Sequence, residues 1–151
     1  MERWVLALAL MIVPAGTVCA ETDVHNVFGL WVSAAGDGHI AVKDCGDGTP
    51  CGTLVWVDPS STDTHLDARN PDPELRSRPL IGTPIIWGFS AGKRRWQGGR
   101  IYNPEDGTSF RSTLKRRVDG TLEVRGCLGP ICRTNIWTPA SLNSKKDHAN
   151  D

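Results

Sequence analysis

From Ser109 onward polar and apolar side chains alternate along the chain. Ser109, Arg111, Thr113, Lys115 and Arg117 are polar, while Phe110, Leu114 and Val118 have the opposite parity. A period of two sends successive side chains to opposite faces of a strand, so the first set faces water and the second a core. The next segment repeats the pattern, with Thr121, Glu123 and Arg125 set against Leu122, Val124 and Gly126. Asp119-Gly120 between the two segments reads as a two-residue type I′ hairpin turn. Further β-rich segments run from Phe28 to Ala34, His39 to Cys45, Cys51 to Asp58, Pro84 to Ser90, Arg95 to Tyr102 and Ile131 to Thr138, about eight strands in all. Short turns such as Asp37-Gly38 and Asn103-Pro104-Glu105-Asp106-Gly107 make neighbouring strands antiparallel. Regular spacing without long helical patterns predicts an all-β sandwich or up-and-down barrel. Ser112 and Arg116 interrupt the inner face. Buried polar groups are costly unless bonded or wetted, so these two belong at a barrel mouth or beside a polar cavity.

One segment breaks the strand pattern. Asn70-Pro71-Asp72-Pro73-Glu74-Leu75-Arg76-Ser77-Arg78-Pro79-Leu80 lies between the third and fourth strands. Asp72 suits an N-cap, Pro73 a first helical position and Glu74 the positive end of the helix dipole, and the turn must end before Pro79. This predicts a short helical turn at one end of the fold, acting either as a lid or as a plug. Arg76 and Arg78 fit an anion clamp, because guanidinium groups hold carboxylate or phosphate bidentately. Pairing with the nearby Asp67, Asp72 and Glu74 would instead fix the segment in place.

Composition narrows the setting. The first twenty residues carry one charged pair, Glu2 and Arg3, then an apolar run from Trp4 to Val13, Pro14, and small residues at Val18 and Ala20. That is the pattern of a secretory signal cleaved after Ala20. The run is about ten residues, short of the roughly 20 that span a bilayer. Val18 before Cys19 argues against lipidation. Residues 21–140 then form a single domain, followed by a polar, disordered tail over 141–151. Formal net charge is zero, which gives no basic excess for nucleic acid. Cys45, Cys51, Cys127 and Cys132 follow the signal, and an even count in an exported chain reads as disulfides. Each close pair brackets a Gly/Pro turn, so Cys45 to Cys51 and Cys127 to Cys132 is the simplest of three connectivities, each worth roughly 2 kcal/mol. Their spacings and compartment argue against zinc.

Candidate chemistry is sparse. Gly98-Gly99 inside a strand marks a bulge, a bend or a close approach, and Pro104 to Gly107 forms a turn. Glu105 and Asp106, like Asp44 and Asp47, lack the alternating oxygen ligands of a calcium loop. Trp31, Trp56, Trp87, Trp96 and Trp137 outnumber the single tyrosine, and their rings would either line an amphipathic pocket or fill a small barrel. Neither a nucleophile elbow, nor a phosphate loop, nor a metal triad is present, so no catalytic or metal residue, no cofactor and no enzymatic activity is expected.

The chain resembles an uncharacterised exported bacterial family known as domain of unknown function 2147. The resemblance rests on Gly29-Leu30-Trp31, Asp44-Cys45-Gly46, Cys51-Gly52, Asn70 to Leu80, Gly98 to Gly107, Leu122 to Gly126 and Trp137. It implies a small antiparallel barrel of the lipocalin and fatty-acid-binding type, exported to the periplasm of a Gram-negative bacterium, with no established activity. The expected role is a monomeric container for a small amphipathic or lipid-like ligand. Trp56, Trp87, Trp96 and Tyr102 would form its walls, and Arg76, Arg78, Arg100 or Arg116 would meet a polar head. The competing expectation is a filled barrel that meets an envelope protein through Asn70 to Leu80.

Overall fold

The computed structural model describes residues 23–140. The expected signal over 1–20 and the expected tail over 141–151 lie outside the described residues. Nine strands follow in order: β1 (Gly29–Val32), β2 (Gly38–Asp44), β3 (Pro50–Val57), β4 (Pro84–Trp87), β5 (Ser90–Ala91), β6 (Trp96–Asn103), β7 (Thr108–Arg116), β8 (Leu122–Leu128) and β9 (Ile131–Pro139). Sequential neighbours from β1 to β4 and from β5 to β9 pair antiparallel, β1 pairs with β9, and β4 pairs with β6, so eight strands close into a barrel. The two-residue β5 continues the line of β4 beyond Gly88 and pairs with the start of β6. Closure matters because it removes most of the free sheet edge that would otherwise seek partners, leaving only the part of β9 before Thr138 without a strand beside it.

Strand parity places side chains as the alternation predicts. On β7, Ser112 and Leu114 are buried, whereas Ser109 and Arg111 are exposed. Val118 departs from its expected inner position, being 91% exposed. The cause is the turn. Arg117 N–H donates to Thr121 O and Gly120 N–H to Arg117 O, and Gly120 has φ 84° while among the described residues none other than glycine has positive φ. A type I′ turn needs positive φ at both central residues, which Asp119 lacks. The loop is therefore a three-residue Val118-Asp119-Gly120 connection closed by a glycine bulge, and Val118 sits at its tip.

The N-terminal segment seals one end of the barrel. Val27 is fully buried, and its carbonyl accepts the Trp31 indole N–H at 2.9 Å. Trp96 Nε1 donates to His25 O at 2.9 Å, and the His25 ring meets the Trp96 ring edge to face at 5.5 Å. The Arg116 guanidinium lies 4.7 Å from the centre of the Trp31 ring, and its backbone N–H donates to Val24 O. This cation–π stack explains how an arginine is tolerated on an inner face: the ring supplies attraction where solvent is scarce. Trp31, Val42, Leu114 and Leu122 are buried in the core at this end. Cys45 with Cys51, and Cys127 with Cys132, form two disulfides, the first closing the β2–β3 loop and the second joining facing residues of the β8–β9 hairpin.

Candidate binding cavity and its rim

The opposite end of the barrel is hollow. A cavity of about 840 Å³ is walled by Ile40, Leu54, Ile85, Ile101, Val124 and Trp137 and opens among the β1–β2, β3–β4, β6–β7 and β8–β9 loops. This size lies within the roughly 300–1,000 Å³ of small-molecule sites, whose linings are mostly apolar with a few placed polar groups. Strand geometry explains why space remains here. Gly126 is an inner position of β8 without a side chain and itself borders the cavity. At the mouth stand Asp37, Asp63, Arg69, Glu105 and Asp106.

The Asn70 to Leu80 segment is fastened at this rim by a buried carboxylate. Asp67 is 0% exposed, and its Oδ1 accepts the Tyr102 hydroxyl at 2.5 Å. Its Oδ2 accepts Asn70 Nδ2 at 2.8 Å, Arg78 Nε at 2.9 Å and Arg78 Nη2 at 2.7 Å. Burial pushes the Asp67 pKa up, but the bonds from Tyr102, Asn70 and Arg78 together with the Arg78 charge outweigh it and hold the group below its ordinary value. Burial raises the Tyr102 phenol, and its bond to the Asp67 carboxylate raises it further. Arg76 Nε donates to Asn70 O at 2.8 Å. The expected helical turn is a single 3-10 turn over Pro73–Leu75, with Asp72 at the N-cap accepting the Glu74 N–H. Pairing within the loop, not an open anion clamp, is therefore what the two arginines do in this structure.

The β6–β7 hairpin clasps the same loop. Gly107 has φ 73°, and a Cβ on it would lie 1.9 Å from Arg69 O, so only glycine permits the two backbones to meet this closely. The two dense runs of the sequence, Asn70 to Leu80 and Gly98 to Gly107, are thus one structural unit. Asp67 and Tyr102 join them.

The residues proposed from sequence do not gather at one place. Tyr102 borders the cavity, whereas Arg76, Arg78, Trp56, Trp87, Trp96, Arg100 and Arg116 do not. Trp56 is 37% exposed and stacks on His39 outside the wall, with ring centres 4.5 Å apart. Trp87 is half-buried against the edge of the core, and Arg100 is exposed, facing Trp87 and Arg111 across the sheet. Trp96 and Arg116 belong to the sealed end. The inner positions Arg133 and Asn135 of β9, absent from the sequence candidates, do line the cavity. Their signal was the parity of Trp137: Ile131, Arg133, Asn135 and Trp137 share one face.

A closed eight-stranded antiparallel barrel, sealed at one end and hollow at the other, defines a lipocalin-like protein. Consistent with this, the structure is similar to one described as "Protein HP1028 from the human pathogen Helicobacter pylori belongs to the lipocalin family", with TM-score 0.62 and 22% identity over 75% of this chain and 82% of that chain. At that identity the likeness speaks for the fold alone. The sequence profile described as "Uncharacterized protein conserved in bacteria (DUF2147)" matches residues 29–139, and the chain belongs to that family. No curated protein matches the sequence. Two disulfides point to an oxidising compartment, and among the described residues no helix is long and apolar enough to cross a membrane.

Proposed function

We propose that the protein is an exported, periplasmic container that holds a small amphipathic ligand inside the barrel and acts as a monomer without catalysis. The observation that carries this reading is the cavity of about 840 Å³, apolar within and polar at its mouth. An apolar chain leaving water for such a lining gains about 25 cal/mol for each Å² buried, enough for micromolar binding once association costs are deducted. The fixed rim supports it, because a mouth already held by Asp67 and Gly107 loses little further freedom when a ligand enters. The hollow interior disfavours the alternative of a filled barrel that serves only as an interaction surface. Mass spectrometry of protein isolated natively from the periplasm tests the reading. A small molecule retained in about equal molar amount is expected; protein that carries none and takes up no dodecanol on titration would overturn it.

A further inference from the structure

The inward face of β9 gives the cavity a chemical preference. Arg133 stands opposite Gly126, and Asn135 opposite Val124, on a strand whose Trp137 is buried in the wall below them. All three side chains border the cavity. Among the described residues, neither the Arg133 guanidinium nor the Asn135 amide has a hydrogen-bond partner or an ion pair. An arginine presents five donors in a planar fork and no acceptor, and an amide adds two donors, so the pair offers an anion a set of hydrogen bonds otherwise met only by water.

The barrel wall beside them is incomplete. β9 is nine residues long, yet β1 pairs only with Thr138 and Pro139 at its end. The rest of β9 therefore has no strand on that side, and Ala34, Ala35 and Asp37 of the β1–β2 turn border the cavity there. Arg133 and Asn135 face inward by parity and still reach water, both being exposed. A polar head can sit at this seam while its tail lies among Ile40, Leu54 and Val124.

The acids around the mouth keep their charge, so the preference rests on direct contact with Arg133 and not on the net charge of the rim. Asp37 accepts the Ser33 hydroxyl at 2.6 Å, Asp106 accepts the Thr108 N–H at 2.9 Å, and Asp63 lies 3.7 Å from Arg69. Glu105 is exposed in the β6–β7 turn.

We infer that the cavity selects an amphipath with an anionic head, a carboxylate or phosphate held by Arg133 and Asn135, with its apolar chain in the barrel. This rests on the container reading proposed above. The chemistry is shared by free fatty acids and by single-chain phospholipids, and the test separates them.

Calorimetric titration of full-length mature protein with dodecanoate, dodecyl phosphate, dodecanol and dodecyltrimethylammonium decides the matter. Dodecanoate or dodecyl phosphate should bind about tenfold or more tightly than dodecanol, since a charged hydrogen bond is added to the same chain. Whichever of the two binds tighter identifies the head as carboxylate or phosphate. Arg133→Gln should remove that advantage, weakening the two anions at least about tenfold more than dodecanol, and Arg133→Lys should restore part of it. Arg133 is exposed on its strand, so unchanged melting of both variants will show that the fold is intact. Equal affinity for all chains, or an Arg133→Gln protein that still prefers the anions, overturns the anionic assignment alone. Failure of every chain, dodecanol included, overturns the container reading and this inference with it.

Discussion

Removing the Tyr102 hydroxyl isolates what the buried carboxylate contributes to the rim. Tyr102→Phe keeps the ring and opens no void, so the change reports on the bond from Oη to Asp67 Oδ1. A hydrogen bond to a charged group contributes about 1.5–3 kcal/mol. Asp67 would retain Asn70 and Arg78 on Oδ2, so the lower part of that range applies, about 2 kcal/mol. For a domain of this size one kcal/mol moves the melting temperature by about 4 °C, which predicts a fall of about 8 °C. Asp67→Ala should cost more, about 3 kcal/mol or above, because the Arg78 guanidinium and two further donors lose their acceptor. Part of that loss is softened by water, since the Arg78 side chain is 27% exposed. Thermal unfolding followed by circular dichroism at neutral pH measures both, and tryptic cleavage after Arg69 or Arg76 reports whether the loop has come free. A Tyr102→Phe protein that melts within about 2 °C of wild type, with no new cleavage, would refute the claim that this network holds the rim.

The other predictions concern the same scaffold. Gly107→Ala should lower stability by more than the roughly 1–3 kcal/mol of a left-handed non-glycine residue, because the new Cβ also strikes Arg69 O, and the melting temperature will show it. Ser112→Ala should leave stability unchanged or raise it by up to about 1 kcal/mol, since the buried Ser112 hydroxyl has no partner to lose. The pH profile of melting should be flat between about pH 5 and 9 and fall at both ends. Asp67, with its pKa depressed in the fold, stabilises above its unfolded value and loses that contribution as acid protonates it. Tyr102, with its pKa raised, stabilises below about pH 10 and loses that contribution as base ionises it, so Tyr102→Phe should flatten the alkaline fall.

Period-two alternation read the barrel well because each strand has one wet and one dry face, and β7 and β8 carry that signal almost without error. Proline and carboxylate chemistry likewise placed the turn at Pro73–Leu75, since caps are local. Turn geometry was less legible. Asp119-Gly120 is compatible with two loop lengths, and the choice between them, set by backbone torsion, decides where Val118 points. The site was harder still. Aromatic rings and arginines were weighed by residue type, yet whether they face inward depends on bulges such as those near His39 and Gly98, which shift the parity of everything beyond them. Trp56 is outside the barrel for this reason. Asp67 was visible only as a nearby acid, because its partner Tyr102 is thirty-five positions away and no local pattern joins them. Arg133 and Asn135 share the parity of Trp137, so their inward position is legible in the alternation of β9.

Trp137 provides the most direct test of the container itself, because it is 4% exposed and its ring forms part of the cavity wall. Titration with a bromine-tagged dodecanol, whose heavy atom quenches indole fluorescence on contact, should give saturable quenching at one ligand per protein with a dissociation constant of about 1–10 μM. Trp137→Phe should bind with the same heat and lose most of the quenching. Quenching that persists in Trp137→Phe, or that never saturates, would place the ligand on the outer surface beside residues such as Trp56 and contradict binding inside the barrel.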